Sequence, residues 1–294
     1  MESIRQALER ARTLNVGSAG PAPNTRSAGQ KDHAASNAPK QQFGAAPSIA
    51  GSVNGRSQEI ALSLAHLESN RIIAHDETDP RSKSFDMLRT QVLQSMDQKN
   101  WKILGITSPT PSCGKTVTAL NLAFCIARHP ERPVLLVDLD LQNPHVASCM
   151  GVNCESGLVS VLDGRKSLST AIIQAQVGNC RIMVLPAESS TSDSSALMAS
   201  RAMTTMLQEI KRDYPSHTVI VDLPPMLSSD DVIAVLPQLD CVLLVAAVGR
   251  SKVSEIEECN RHLESAHVVR LVLNKVPQLN TQYYSYYASR PRLT

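Results

Sequence analysis

No apolar run in this chain approaches the roughly 18 residues that a membrane-crossing helix needs. The longest is the stretch 241–248, and the N-terminus carries no apolar stretch of the signal-peptide kind. These absences predict a soluble chain that meets a membrane only through a partner. The net charge is only +2, so no broad electrostatic field recruits nucleic acid, and no nucleic-acid partner is expected. Seven cysteines form no CxxC pair and no zinc-like spacing with the eight histidines, which points to a reducing cytosol. What the chain does have is length and apolar content: 294 residues, 42% of them apolar, suffice for one α/β domain with something added.

The addition lies at the ends. Residues 1–15 read as a short amphipathic helix, with Ile4, Ala7, Leu8, Ala11 and Leu14 on one face. Residues 16–58 are dominated by Ala, Gly, Ser, Pro, Asn and Gln, a composition that cannot offset the entropy of ordering, and predict a disordered linker. Such a linker spans on the order of 35 Å, so the first helix can serve as a tethered docking element. From 59 to 278 apolar strands alternate with helices. Strands are expected at 102–107, 133–138, 181–185, 217–222, 241–246 and 268–274, and helices near 116–129, 195–214, 230–236 and 253–266. That alternation predicts a doubly wound, mostly parallel sheet with its ligands at the carboxyl ends of the strands.

Between the first of those strands and the first helix stands Ser108-Pro-Thr-Pro-Ser-Cys-Gly-Lys-Thr116. This is the context in which a P-loop wraps phosphates with backbone N–H groups and a helix N-terminus. Ser112, Cys113, Gly114, Lys115 and Thr116 are thus the expected nucleotide contacts, with Lys115 on the phosphates and Thr116 on Mg²⁺. The match departs from GxxxxGK[ST] at its first glycine, where Pro109 stands. Two later strands end in acid: Val137-Asp138-Leu139-Asp140 and Val221-Asp222-Leu223-Pro-Pro225. One such aspartate alone would cap a turn or a helix. Three after a GKT sequence predict a metal and nucleotide site, because Mg²⁺ takes a few hard oxygen ligands plus substrate phosphates. Asp230 and Asp231 are read as helix N-caps. Cys113, beside Lys115 at a helix start, is read as a thiol whose thiolate is favoured.

From about residue 59 to the C-terminus these segments resemble the bacterial tyrosine kinase (BY-kinase) family of capsule and exopolysaccharide systems, P-loop NTPases of the deviant Walker A group. The resemblance rests on the loop 108–116, on Leu135-Leu-Val-Asp-Leu-Asp-Leu-Gln-Asn-Pro144, on 221–225, on Leu273-Asn-Lys275 and on a terminal tyrosine cluster. Residues 3–11 also resemble the opening helix of the exosortase-linked members. The resemblance implies that Lys115 and Thr116 hold ATP-Mg²⁺, that Asp140 and Asp222 help bind the metal, that Asp138 is the catalytic base and that Asn274 lies near the adenine. It implies autophosphorylation of Tyr283, Tyr284, Tyr286 and Tyr287 in the tail 279–294, which holds four of the chain's five tyrosines. It further implies self-association, a membrane polysaccharide co-polymerase or chain-length regulator as activator, an opposing tyrosine phosphatase, and a cytoplasmic location at the inner face of the membrane. Related partition and septum-placement ATPases carry a lysine where this chain has Thr110, which favours the kinase branch over a switch ATPase of the partitioning type; a degenerate nucleotide sensor is the other alternative.

Three departures bear on activity. Ser112 and Cys113 replace the glycine and small residue usual before Gly114, and a non-glycine there resists the backbone angles that aim N–H groups at phosphate. The family arginine after the second acidic motif is Gln142. The oligomerisation motif ExxRxxR falls on Lys83, Asp86 and Arg89, which argues against a closed ring of subunits.

Overall fold

The computed structural model describes residues 58–277, with 265 excepted. The expected helix 1–15, all but the last residue of the linker, and the tail 279–294 lie outside the described residues. Eight strands form one sheet: β1 (Glu59–Ala61), β2 (Ile103–Thr107), β3 (Val134–Asp138), β4 (Ile173–Val177), β5 (Cys180–Leu185), β6 (Thr218–Asp222), β7 (Cys241–Ala247) and β8 (Val268–Asn274). Their spatial order is β1-β4-β5-β3-β6-β2-β7-β8. Every neighbouring pair is parallel except β4 with β5. The expected doubly wound, mostly parallel sheet is therefore present.

The four central strands explain why. Every residue of β2, β3, β6 and β7 is buried, so these runs, continuously apolar up to their terminal polar residues, need cover on both faces. One cover is the helix Lys115–Ala127, in which all residues but Val117 are buried. A helix apolar on nearly all sides belongs inside a protein. Its one polar residue in mid-helix, Asn121, is fully buried and fully used. The Asn121 Oδ1 accepts from the N–H groups of Ile73 (2.8 Å) and Ala74 (2.9 Å), and its Nδ2 donates to the Arg71 and Val117 carbonyls. Through this one amide the segment leading from the edge of the domain is fastened to its central helix.

The structure departs from expectation in several elements: β1 and the helices Leu64–Ser69 and Lys83–Lys99 precede the first expected strand, and two further differences have a clear local cause. The helix expected over 195–214 is two helices, Ser194–Met198 and Arg201–Asp213. Ser200 makes the break: its backbone is extended and its hydroxyl accepts from the Met203 N–H, so it starts a new helix as an N-cap. Strand β4 was not anticipated. Its residues alternate between buried and less buried, and Gly178 turns at φ +53° into β5, the hairpin that Gly178-Asn179 signals between two strands.

Asn121→Ala removes the only acceptor that the Ile73 and Ala74 N–H groups have among the described residues. It should lower the unfolding free energy by about 3 kcal/mol, the cost of buried backbone donors left without a partner. Urea denaturation followed by circular dichroism measures this, and a loss near zero would show that the segment 71–74 does not depend on Asn121.

Candidate functional site

Three adjacent strands bring the acidic residues together. In the order β3-β6-β2, the last residue of β3, Asp138, pairs in register with the last residue of β6, Asp222, which pairs in turn with Ile106 of β2. The phosphate loop leaves the end of β2. Asp138, Asp140, Asp222, Lys115 and Thr116 are thus gathered at one corner, and none is more than 8% exposed.

Within the corner each group has a distinct partner. The Lys115 ammonium donates to Asp140 Oδ2 at 2.6 Å, and the Thr116 hydroxyl donates to Asp222 Oδ2 at 2.7 Å. Asp138 engages neither. Its two oxygens accept from the backbone N–H groups of Asp140 and Val146, both at 3.1 Å. Burial lifts the Asp138 carboxyl to about 8, with repulsion from Asp222 adding to the effect and the two N–H groups and Lys115 opposing it. Burial also raises the Asp222 carboxyl, against the pull of Lys115 and the Thr116 hydroxyl. For Lys115, burial works against the charge, but Asp222 and Asp140 outweigh it and hold the ammonium above its ordinary value. The Lys115 side chain is therefore buried against carboxylates.

The loop is held from both sides. At its entry, the Met226 and Leu227 N–H groups donate to the carbonyls of Ser108 (2.8 Å) and Pro109 (3.1 Å). At its exit, Asn274 Nδ2 donates to the Cys113 carbonyl at 2.9 Å and Lys275 Nζ to the Ser112 carbonyl at 2.7 Å. Ser112 lies at φ +64° and Gly114 at φ +93°. A Cβ at Gly114 would come within 2.3 Å of Asn274 Nδ2, so only glycine closes this turn. The residue expected beside an adenine thus lies against the loop. Cys113 is fully buried with its Sγ 3.4 Å from the Ser251 hydroxyl. This corrects the expectation of a reactive thiol, because a reagent cannot reach it without opening the loop.

Two further expectations change. Asp230 stands at the N-cap of the helix Asp231–Val235, as expected, but makes no side-chain cap, and Asp231 is the first residue of the helix. The Ser195 hydroxyl lies 2.7 Å from Asp230 Oδ1 and 2.5 Å from Asp231 Oδ1, its single proton serving one of them at a time, and Asp231 also accepts from Gln142 Nε2 at 3.2 Å. Gln142 takes the arginine position with a neutral amide. Arg89, the retained arginine of the oligomerisation motif, reaches the Cys125 carbonyl of its own chain at 3.3 Å and Asp86 at 3.4 Å. Asp86 also meets Arg128. Lys275 and Ser251 were missed as contributors. Lys275 ends the Leu273-Asn-Lys275 motif, but its partner Ser112 is far away in sequence and no local signal joins them.

The corner fits a phosphate chain and a divalent metal. Asp222 Oδ1 is buried without a hydrogen-bond partner. Among the described residues no acceptor takes the N–H groups of Ser112 to Thr116, which follow left-handed turns at Ser112 and Gly114 as in an anion-binding nest. No ready-made cage of three His, Cys, Asp or Glu is present among the described residues.

Fold and site together define a P-loop nucleotide-binding protein of the α/β class. Residues 102–260 match the family model described as "AAA domain", and the chain belongs to that family. It is similar to the tyrosine-protein kinase etk of Escherichia coli K12, 31% identical over 210 residues, which are 71% of this chain and 28% of etk. It is 29% identical to the CapB protein of Staphylococcus aureus over 211 residues, 70% of this chain and 90% of CapB. The solved kinase domain of Escherichia coli tyrosine kinase ETK superposes with a TM-score of 0.64 at 29% identity, covering 72% of this chain and 82% of that one. The sequence resemblance to the bacterial tyrosine kinases is borne out by these relatives. The chain spans 27% of the length of the EpsB relatives of Ralstonia. No helix among the described residues is long and apolar enough to cross a membrane.

Asp138→Asn should stabilise the nucleotide-free protein. An unfolded aspartate releases its proton near pH 4 and the folded Asp138 near 8, so folding binds a proton across that window and wild-type stability falls as pH rises through it. The gain in Tm from the substitution should therefore grow from pH 4 to pH 8 and reach at least about 3 °C at pH 8. A gain independent of pH would contradict the burial argument. Lys115→Ala should abolish Mg²⁺-dependent nucleotide binding and also lower stability, because it strands buried carboxylates. Unchanged ATP affinity in a folded variant would remove Lys115 from the site.

Proposed function

We propose that the chain is an ATP-dependent protein-tyrosine autokinase that phosphorylates Tyr283, Tyr284, Tyr286 and Tyr287 and so regulates exopolysaccharide or capsule assembly. One observation carries the reading: of the three carboxylates in the corner, Asp138 is held by backbone N–H groups only, while Asp140 is tied to the Lys115 ammonium as well as to the Asn143 N–H, and Asp222 to the Thr116 hydroxyl. The division leaves two carboxylates and a hydroxyl for a metal and sets the third apart as a base.

In this reading the loop N–H groups and Lys115 hold the ATP phosphates, and Thr116, Asp140 and Asp222 hold Mg²⁺. When bound, the metal neutralises phosphate charge and steadies the leaving diphosphate. Lys115 gives up Asp140 for the phosphates. Asp138, its charge made less costly by the cations now beside it, ionises and accepts the proton of the tyrosine hydroxyl. The tyrosine oxygen bonds to the γ-phosphorus as the bond to the bridging oxygen breaks, and ADP leaves with that electron pair. Each phosphate adds nearly two negative charges to the tail, which repel the carboxylate-rich corner and loosen contact between subunits.

The names of the relatives support tyrosine phosphorylation, and EpsB and CapB belong with the proposed place in polymer assembly. A membrane co-polymerase or chain-length regulator acts as activator at the inner face of the membrane, and a tyrosine phosphatase resets the tail. Subunits associate by contacts other than a complete ExxRxxR motif, since Arg89 is engaged within its own chain.

Purified protein incubated with ATP and Mg²⁺ should gain phosphotyrosine, read by intact mass and by phosphotyrosine antibody. Replacing the four tail tyrosines by Phe should remove most of that phosphate and leave ATP affinity unchanged, with Tyr214 contributing little. Equal incorporation in the quadruple variant would rule out the tail as acceptor, and ATP hydrolysis without phosphotyrosine would favour a switch ATPase.

A further inference from the structure

We propose that Lys275 is a positioning residue of the phosphate loop, clamping it in its binding shape at the position where the loop lacks a glycine. The inference rests on the nucleotide-binding reading of that loop and assigns a role to a residue outside it.

Ser112 holds φ +64°, a left-handed conformation that L side chains rarely adopt and glycine adopts freely. A strained residue persists only where its surroundings over-determine it. At Ser112 the surroundings are the end of β8. Lys275 Nζ donates to the Ser112 carbonyl at 2.7 Å, and Asn274 Nδ2 donates to the next carbonyl, Cys113, at 2.9 Å. The two donors are themselves set: the Lys275 N–H donates to Asn274 Oδ1 at 2.8 Å, and Lys275 is also left-handed, at φ +56°.

What the clamp does follows from the planarity of the peptide. In a trans peptide the C=O of one residue and the N–H of the next point in opposite directions. Tying the Ser112 carbonyl toward Lys275 therefore aims the Cys113 N–H away from it. Tying the Cys113 carbonyl toward Asn274 aims the Gly114 N–H likewise. These two N–H groups belong to the set that has no acceptor among the described residues. The clamp holds carbonyls on one side so that donors face the other, where phosphate oxygens are to sit. Repulsion between loop carbonyls and phosphate is avoided by the same rotation.

The account separates from a general electrostatic benefit of one more lysine. A clamp matters because Ser112 resists its own angle, so its value must fall when position 112 is glycine. A remote positive charge would help equally in either background. The affinity of the full chain for Mg-ADP, measured by titration calorimetry, should drop roughly fivefold on Lys275→Met, the worth of one hydrogen bond from a charged donor near the surface. In the Ser112→Gly background the same substitution should cost less than about twofold, because glycine holds the angle unaided. Thermal unfolding should move little, since Lys275 is exposed. Equal losses in the two backgrounds, or no loss in the parent, would overturn the clamp.

Hydrogen exchange of the nucleotide-free chain tests the same geometry without a ligand. The Thr118 amide, which donates to the Gly114 carbonyl at 2.9 Å, should exchange faster in Lys275→Met and return toward the parent rate when Ser112→Gly is added; unchanged rates would overturn the clamp. The two levels fail separately. If the parent binds no Mg-ADP, or binds it as well after Lys115→Ala, the nucleotide reading is wrong and exchange alone decides the clamp. If binding depends on Lys115 but ignores Lys275, the clamp alone is wrong.

Discussion

Three carboxylates and one ammonium are buried together at the ends of β3, β6 and β2, and their charges do not balance. Fully ionised, Asp138, Asp140 and Asp222 against Lys115 leave two negative charges in a corner from which water is largely excluded. An uncompensated buried charge is too costly to keep, so the corner resolves the excess in the free protein by holding protons, and the upward shifts of Asp138 and Asp222 express this. A bound divalent cation resolves it in another way. On the proposed reading, the cost of placing aspartates at the ends of central strands is the origin of the affinity for a metal and its phosphate ligand.

The surrounding fold serves to keep that corner in place. Parallel packing of β3 on β6 fixes Asp138 opposite Asp222, and the buried helix Lys115–Ala127 brings Lys115 and Thr116 onto them from above. That helix is anchored by the Asn121 amide at one side and by the loop at its start. The loop, short of glycine, is braced by four hydrogen bonds to its carbonyls, from Met226, Leu227, Asn274 and Lys275. Bracing by carbonyls leaves the N–H groups available, so the rigidity of the loop and its capacity to bind an anion have the same cause.

Much of this was legible in the sequence because it is local. An apolar run that ends in aspartate announces a strand end, and a GKT after such a run announces the phosphate loop, so the parallel sheet and the residues of the corner were found together. What was not legible depends on distance. The burial of Lys115 follows from Asp140 and Asp222 closing over it, which no window around residue 115 reveals. The engagement of Asp231 with Gln142 and of Lys275 with Ser112 joins segments far apart in the chain. Two errors were local and avoidable. Ser200 within an apparently continuous helix carried an N-cap signal, and Val177-Gly-Asn-Cys180 carried a hairpin signal. The strain expected at Ser112 was real, and its remedy came from the other end of the domain.

The central claim is that the corner stores protons in place of a metal. Its most direct measurement is the number of protons released when Mg-ADP binds near pH 7, obtained by titration calorimetry in buffers of different ionisation enthalpy. The account predicts release of about one proton, since Asp138 titrates near 8 in the free protein and must ionise beside a cation, and it predicts that Asp138→Asn abolishes most of the release while binding persists. Tight Mg-ADP binding with no proton release in the parent would contradict it, because the carboxylates would then have been ionised all along.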